Sequence, residues 1–300
     1  MHSAKARHGE LMSNSIVVTG ATGNIGQGVV AQLAARKANV TALVRSSAKA
    51  ASLADLGARL VEGTFEDRAS LERAFTGADT IVLITAANAN AAEQTITAID
   101  AAKAAGVRKI VRISALKASV DGPTDNTRQH GRTEDYLKAS GIAHVILRPH
   151  FFMQVLLGSL PSITSEGKFY FGVGQGRLGT IDSRDISDAA VAAATSDEWN
   201  GQTLEITGPA AIDFTQVAMA FSRALGREVA YVAVPPAAVE QALLGHGADA
   251  WTASIVRDYC AAYAEGFGDF ATDNVQRLTG HAPRSIDDFA REVLAPLAKR

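Results

Sequence analysis

The chain has 300 residues, 47% of them hydrophobic, with one cysteine and a net charge of −2. That composition supplies a buried core and argues against disorder, and a single cysteine rules out an intrachain disulfide. Near-neutrality gives no basic footprint for nucleic acid, and no apolar run approaches the ~20 residues that cross a bilayer.

Residues 1–13 carry His2, Lys5, Arg7 and His8 but no apolar stretch, so they are not a secretory signal and are expected to be a disordered tail. Ile16-Val17-Val18-Thr19 is a β-branched run with glycine directly after it, the pattern of a buried parallel strand. Ile25 to Arg36 has helical spacing, with Ile25, Val29, Val30 and Leu33 on one face. Strand patterns recur at Val40–Val44, Arg59–Val61, Thr80–Ile84, Lys109–Ile113 and Ala143–Leu147. Helical patterns alternate with them at Ala48–Asp55, Ala69–Phe75, Ala91–Ala105 and Arg128–Ala139. This alternation predicts an α/β fold, a doubly wound parallel Rossmann sheet over residues 14–150.

After Pro149 the pattern changes. An apolar stretch through Phe151, Phe152 and Met153 is followed by glycines at 167, 172, 174, 176 and 179, which suggest turns and a hairpin. Phe169, Tyr170 and Phe171 read as a pocket closure or as strand core. Asp185 is expected to cap a helix to Ala194. Thr203–Ile206 and Val229–Val234 read as strands, Phe214–Leu225 as a helix, and the remainder as helical. Residues 151–300 are therefore expected to form a smaller, mainly helical substrate lobe, with 185–207 returning to the main sheet. Cys260 lies in an alanine- and aromatic-rich stretch and reads as core packing. A lone cysteine fits a reducing, cytoplasmic setting.

The strongest motif is Gly20-x-x-Gly23-x-x-Gly26 between the first strand and first helix. Glycines there allow a tight turn and close approach of a pyrophosphate, which the helix N-terminus attracts. Gly20, Ala21, Thr22, Gly23, Asn24 and Ile25 are the expected contacts. After the second strand stand Arg45, Ser46 and Ser47, then Lys49, with no acid until Asp55. An acid would bind the ribose hydroxyls of NAD, whereas Arg45 can pair with a 2′-phosphate, so the expected cofactor is NADPH (NADP).

Those residues resemble the NmrA-like atypical short-chain dehydrogenase/reductase family. Ile113-Ser114-Ala115, His130-Gly131-Arg132-Thr133-Glu134, Leu147-Arg148-Pro149 with Phe151-Phe152-Met153, and Leu204-Glu205-Ile206-Thr207-Gly208-Pro209 extend the likeness over nearly the whole chain from Ser15. The resemblance implies a Rossmann fold and a bound NAD(P). It leaves the substrate open, since the group includes quinone reductases, triphenylmethane reductases, isoflavone-reductase-like enzymes and redox-sensing regulators.

Typical short-chain dehydrogenases, which this group resembles, use a Ser, Tyr and Lys set, and in the extended members a Glu often follows four residues after the Lys. Glu134 fits that Glu, so the Lys position falls on His130 and the Tyr position on Asn126; the spacing from His130 to Gly141 agrees. Both usual residues are thus absent. His130 has three readings: an acid–base group, a hydrogen-bonding partner of the nicotinamide ribose in place of the lysine, or a pocket-lining residue. Its position at the helix start is expected to favour a neutral imidazole. Ser114 matches the family serine and is the second catalytic candidate; it also adjoins the cofactor, as do Thr85 and Ala86 after the fourth strand. Asn126, Phe151, Phe152 and Met153 are expected to line the substrate pocket, where aromatic and thioether groups suit a flat apolar compound.

Tyr136 points away from His130's helix face. Arg148 reads as structural, and Lys103, Arg108 and Lys109 as solvated charges. His144, His150, His246 and His281 lack metal-ligand spacing, so no metal is expected, and no Gly-x-Ser-x-Gly elbow occurs. The reading is an NADPH-dependent oxidoreductase of a small aromatic, quinone-like or carbonyl substrate, acting as a monomer or homodimer with no nucleic-acid or membrane partner. Two alternatives stand beside it: a non-catalytic NADP(H)-sensing regulator, and a lyase or isomerase with bound cofactor.

Overall fold

The computed structural model describes residues 14–299, so the tail expected at residues 1–13 lies outside the described residues. Strands β1 (Ser15–Val18), β2 (Asn39–Val44), β3 (Arg59–Glu62), β4 (Thr80–Leu83), β5 (Lys109–Ile113), β6 (Ala143–Pro149) and β8 (Thr203–Ile206) form one sheet, in the order β3-β2-β1-β4-β5-β6-β8. The pairings from β3 through β6 are parallel. The helices between them are α1 (Asn24–Ala35), α2 (Ala51–Asp55), α3 (Arg68–Phe75), α4 (Ala91–Ala104) and α5 (Asp125–Ala139). This is the doubly wound α/β arrangement that the sequence alternation predicts. Strand order reverses between β1 and β4, and ligands bind at such a reversal, beyond the carboxyl ends of the strands.

The chain divides into two compact units. The first comprises the residues up to Val120, Gln129–Arg148 and Ile186–Leu204. Its sheet buries Val17, Leu43, Ile81 and Ile110 against Leu71 and Phe75 of α3, Ile99 of α4 and Leu137 of α5. Helix α7 (Ser183–Ala194) approaches α1 closely enough that a Cβ on Gly28 would meet Ser187 Oγ at 2.5 Å. Ser187 Oγ also donates to the Ile25 carbonyl at 3.0 Å.

The second unit comprises Asp121–Arg128, Pro149–Asp185 and Glu205 onward. Its helices are α6 (Leu160–Glu166), α8 (Phe214–Leu225), α9 (Pro236–Gly245), α10 (Ala250–Ala264), α11 (Asn274–Thr279), α12 (Ile286–Phe289) and α13 (Ala295–Ala298). Its strands β7 (Lys168–Phe171) and β9 (Ala230–Ala233) pair in parallel, so the glycine-rich segment after β7 is not a hairpin. The partner strand arrives some sixty positions later, a pairing no local turn signal announces. Phe169 is strand core, packed on Phe214, Phe221 and Tyr231, whereas Tyr170 is exposed. Asp185 does not cap α7. Its carboxylate takes the backbone N–H and guanidinium of Arg284, and Asp182 accepts the Arg184 N–H at 2.9 Å instead. Among the described residues no helix is long and apolar enough to cross a membrane.

Candidate active site

The glycine turn connects β1 to α1. Gly20 has φ +57°, a left-handed conformation that suits glycine, and a Cβ there would press on the Ile84 carbonyl at 3.0 Å. A Cβ on Gly26 would lie 2.2 Å from the Gly20 carbonyl oxygen, so only glycine lets the helix start this close to the turn. Gly23 is the N-cap of α1 and supplies no side-chain cap, and no acid stands in the first turn. The N-terminal N–H groups and positive dipole end therefore face neither a carboxylate nor a capping side chain of their own, a setting that fits a pyrophosphate. Thr22, Gly23 and Asn24 are exposed, while Ala21 and Ile25 are buried and anchor the turn. Arg45 is exposed just past β2. Ser47 is already engaged by the Glu62 carboxylate, which accepts its N–H at 2.7 Å and its hydroxyl and is held below the usual carboxylate range by those bonds, the backbone one first. Past β4, Thr85 Oγ1 hydrogen-bonds Thr95 Oγ1 at 3.0 Å, and Ala86 is exposed.

Beside the turn, β5, α5 and β6 assemble a buried polar cluster. Arg112 is fully buried in β5. It donates to the Ile113 carbonyl at 2.6 Å, the Leu83 carbonyl at 3.3 Å and Thr95 Oγ1 at 3.4 Å. Its Nη2 also lies 3.3 Å from His130 Nδ1. Guanidinium only donates, so His130 Nδ1 accepts and the ring proton sits on Nε2. Burial and the Arg112 charge, with Arg148 adding to them, hold His130 well below its ordinary pKa of 6.5. The imidazole is neutral, as the sequence suggested, but for another reason. Helix α5 begins at Asp125, which puts His130 in its second turn, away from the dipole end. Burial lowers Arg112 to about 10, with Glu134 acting in the opposite direction, so the guanidinium is charged at neutral pH.

Ser114 donates to Glu134 Oε1 at 2.5 Å and lies 3.3 Å from His130 Nδ1. A hydroxyl has one proton, so this bond leaves Ser114 none to polarise a substrate carbonyl. Glu134 is fully buried and accepts Arg148 at two points, Nε at 2.9 Å and Nη2 at 2.7 Å. Arg148 is thus structural, as expected. Lys109 is not a solvated charge. It is 1% exposed, and its ammonium donates to the carbonyls of Ala193 at 2.7 Å and Ser196 at 2.5 Å. Tyr136 is exposed and donates to Asp100 at 2.7 Å.

In the second unit, Asn126 and Phe151 join one aromatic chain. Asn126 Nδ2 donates to Tyr259 Oη at 2.9 Å. Tyr259 stacks on Tyr263 with centroids 5.6 Å apart, and Tyr263 meets Phe151 edge-on at 6.2 Å. Phe152 is half-buried beside them in sequence. Met153 is different: at 1% exposure, with its N–H on the Ile181 carbonyl, it is core and offers no wall to a substrate. Cys260 is also core, its thiol pushed up to about 11 by burial. The sequence reading missed Arg112, which resembles a surface charge in a strand, and the Tyr259–Tyr263 pair, whose four-residue spacing on α10 was a usable signal.

A glycine turn opening from a parallel strand onto an uncapped helix, at the reversal of strand order, defines a Rossmann dinucleotide-binding protein. The chain belongs to the NAD(P)H-binding family, whose match covers residues 20–197. It is 34% identical over 276 residues to an NAD(P)H azoreductase of Xenophilus azovorans, across 92% of this chain and 96% of that protein. It is 30% identical to quinone oxidoreductase 2 of Escherichia coli, across 90% and 96%. The structure of the NADPH-dependent quinone oxidoreductase of that organism, complexed with NADPH, superimposes with a TM-score of 0.84 at 28% identity, covering 92% of this chain and 98% of that one. The fold is also that of the regulator NmrA, with a TM-score of 0.79 at 20% identity over 96% and 97% of the two chains. The chain is an NAD(P)H-dependent oxidoreductase.

Proposed function

We propose that this protein is an NADPH-dependent reductase of flat aromatic substrates, quinones, azo compounds or ring carbonyls. The observation that carries this reading is the glycine turn at Gly20–Gly26, with its uncapped, acid-free helix start beside the exposed Arg45. The substrate class rests on the aromatic chain Phe151–Tyr263–Tyr259 and on the likeness to an azoreductase and a quinone oxidoreductase. When bound, the reduced nicotinamide supplies the hydride. Gly20, Ala21, Thr22, Gly23, Asn24 and Ile25 hold the pyrophosphate, and Thr85 and Ala86 leave room for the adenosine side. His130 acts as a fixed Nε2–H donor in the place of the family lysine, and Ser114 as a brace of Glu134 rather than an acid. The test is NADPH consumption followed by absorbance with 1,4-naphthoquinone and the azo dye methyl red. Binding that separates NADPH from NADP without any turnover would replace this reading with that of a sensor.

Arg45 is the arm that selects the phosphorylated cofactor, since Glu62 occupies Ser47. Arg45→Ala is expected to weaken NADPH binding by about 10-fold or more, on the scale of a lost charge-assisted hydrogen bond. NADH binding should change less than about 2-fold, so the ratio of the two dissociation constants measures the role.

The neutral His130 predicts a pH signature. Its folded pKa is depressed below 6.5. An imidazolium acid would make kcat/KM fall as pH rises through 6.5, whereas a neutral donor gives a flat profile from pH 8 down through 6.5 to the depressed folded value. Stability has the opposite sensitivity. Below 6.5 the unfolded chain binds a proton that the folded His130 refuses, so its contribution to stability falls with pH until the folded value is reached. Rate profiles and urea unfolding between pH 5 and 8 check both limbs, and His130→Gln should remove the second.

A further inference from the structure

We infer that Arg112 is a positioning residue for the cofactor site: it decides, against an opposite pull from Ser114, which ring nitrogen of His130 carries the proton, and so keeps Nε2 as a donor. The inference rests on the reductase reading above for what that donor holds, the nicotinamide ribose, but not for the tautomer itself. Arg112, Ser114, His130 and Glu134 all belong to the first compact unit.

His130 is half-buried, and both hydrogen-bond contacts of its ring fall on Nδ1, 3.3 Å from Arg112 Nη2 and 3.3 Å from Ser114 Oγ. These two neighbours favour different tautomers. Ser114 gives its one proton to Glu134 Oε1 at 2.5 Å, so toward His130 it can only accept, and it favours a proton on Nδ1. The guanidinium can only donate, and it favours a bare Nδ1.

The protons of Arg112 decide between them. The two on Nη1 meet the carbonyls of Ile113 at 2.6 Å and Leu83 at 3.3 Å. Of the two on Nη2, one faces Thr95 Oγ1 at 3.4 Å and the other faces His130. The Nε proton is buried with no partner. A proton on Nδ1 would therefore leave a second N–H of a fully buried cation unpaired. Ser114 would lose less, because Glu134 already holds it. An unpaired donor on a buried charge is the costlier outcome, so the ring proton stays on Nε2. Thr95 depends on Arg112 far less, since it donates to the Ala91 carbonyl at 2.7 Å and pairs with Thr85 at 3.0 Å. The partner that Arg112 alone controls is His130. Its charge acts in the same direction: after burial, it is the next cause holding the imidazole well below 6.5.

The test uses the full chain carrying isotope-labelled histidine, with NMR reading which ring nitrogen is protonated and His130→Gln assigning the signal. The parent ring should carry its proton on Nε2. Arg112→Met, close in length but uncharged, should move it to Nδ1, where Ser114 accepts it, and should shift the titration of the ring to higher pH. Ser114→Ala should leave the proton on Nε2. A parent ring protonated on Nδ1, an Arg112→Met ring still protonated on Nε2, or a tautomer change in Ser114→Ala overturns the assignment. The first and third of these outcomes stay decisive even if Arg112→Met does not fold. In a second arm, calorimetry follows NADPH binding. Arg112→Met and His130→Gln should each weaken it by about 3- to 10-fold, the range for one lost hydrogen bond. The double variant should be no weaker than either single one, because Arg112 acts through His130. Losses that multiply would assign Arg112 a general role in the fold and overturn the inference. Absence of quinone or azo turnover by the parent refutes the reductase reading instead, and the tautomer arm still judges Arg112.

Discussion

Glu134→Ala is expected to lower the unfolding free energy by about 3–5 kcal/mol, the range for breaking a buried ion pair from one side. Glu134 is fully buried, and its carboxylate is met by both forks of Arg148, by Ser114 and, at 3.5 Å, by Lys138. Alanine takes from the mostly buried Arg148 guanidinium the fully buried carboxylate that meets it at two points, while the Ala118 carbonyl at 2.7 Å remains. It also releases the Ser114 proton toward His130 and leaves Arg112 without its nearest compensating carboxylate. Glu134→Gln keeps the volume and an acceptor for Ser114, so its cost should be clearly smaller. Urea unfolding of the three proteins decides the matter: an alanine variant within about 1 kcal/mol of the parent would mean that the cluster relaxes and that Arg148 reaches solvent.

Gly26→Ala is expected to reduce NADPH affinity by about 100-fold while leaving the chain folded. The new Cβ would stand 2.2 Å from the Gly20 carbonyl oxygen and 2.7 Å from Ala21 Cα. Both obstacles are backbone, so the turn and the helix start must separate. Overpacking of this kind costs about 1–3 kcal/mol in stability. The cofactor loses more, because its pyrophosphate depends on the same N–H groups being aimed together. Gly57→Ala is the matched control. Gly57 has φ +94° with nothing near its missing Cβ, and it lies in the α2–β3 turn. It should lose stability through backbone strain alone and bind NADPH within about 2-fold of the parent. Calorimetric titration of both variants separates strain in general from damage at the turn.

The parts legible in the sequence share a physical property: each is written locally. β-branched runs, helical spacing and the Gly20–Gly26 turn are fixed by neighbours a few positions away, and they place the cofactor loop and the sheet. Ser114, His130 and Glu134 were also legible, and the structure does bring them together. What they do there was not, because it depends on Arg112. That residue sits in Lys109-Ile110-Val111-Arg112-Ile113, where a charge reads as a surface position, yet its partners come from β4, α4 and α5. Lys109 misleads in the same way, since the carbonyls that receive it belong to residues 193 and 196. The parallel β7–β9 pair and the Asp185–Arg284 contact are likewise long-range. A hairpin and a helix cap were the nearest local solutions, and both gave way to a distant partner.

Neither compact unit is a continuous stretch of chain: the first takes back Ile186–Leu204, and the second claims Asp121–Arg128. Order of synthesis therefore matters. When Arg148 has emerged, the sheet still lacks the strand that follows β6 in its order, and the second unit's early piece waits without most of its partners. At about 5–20 residues per second, the stretch from Arg148 to Leu204 takes roughly 3–11 s to appear. During that interval β6 is an open edge rich in apolar residues, the kind of surface chaperones recognise, and a chain arrested there should be retained by them while one released past Leu204 is not.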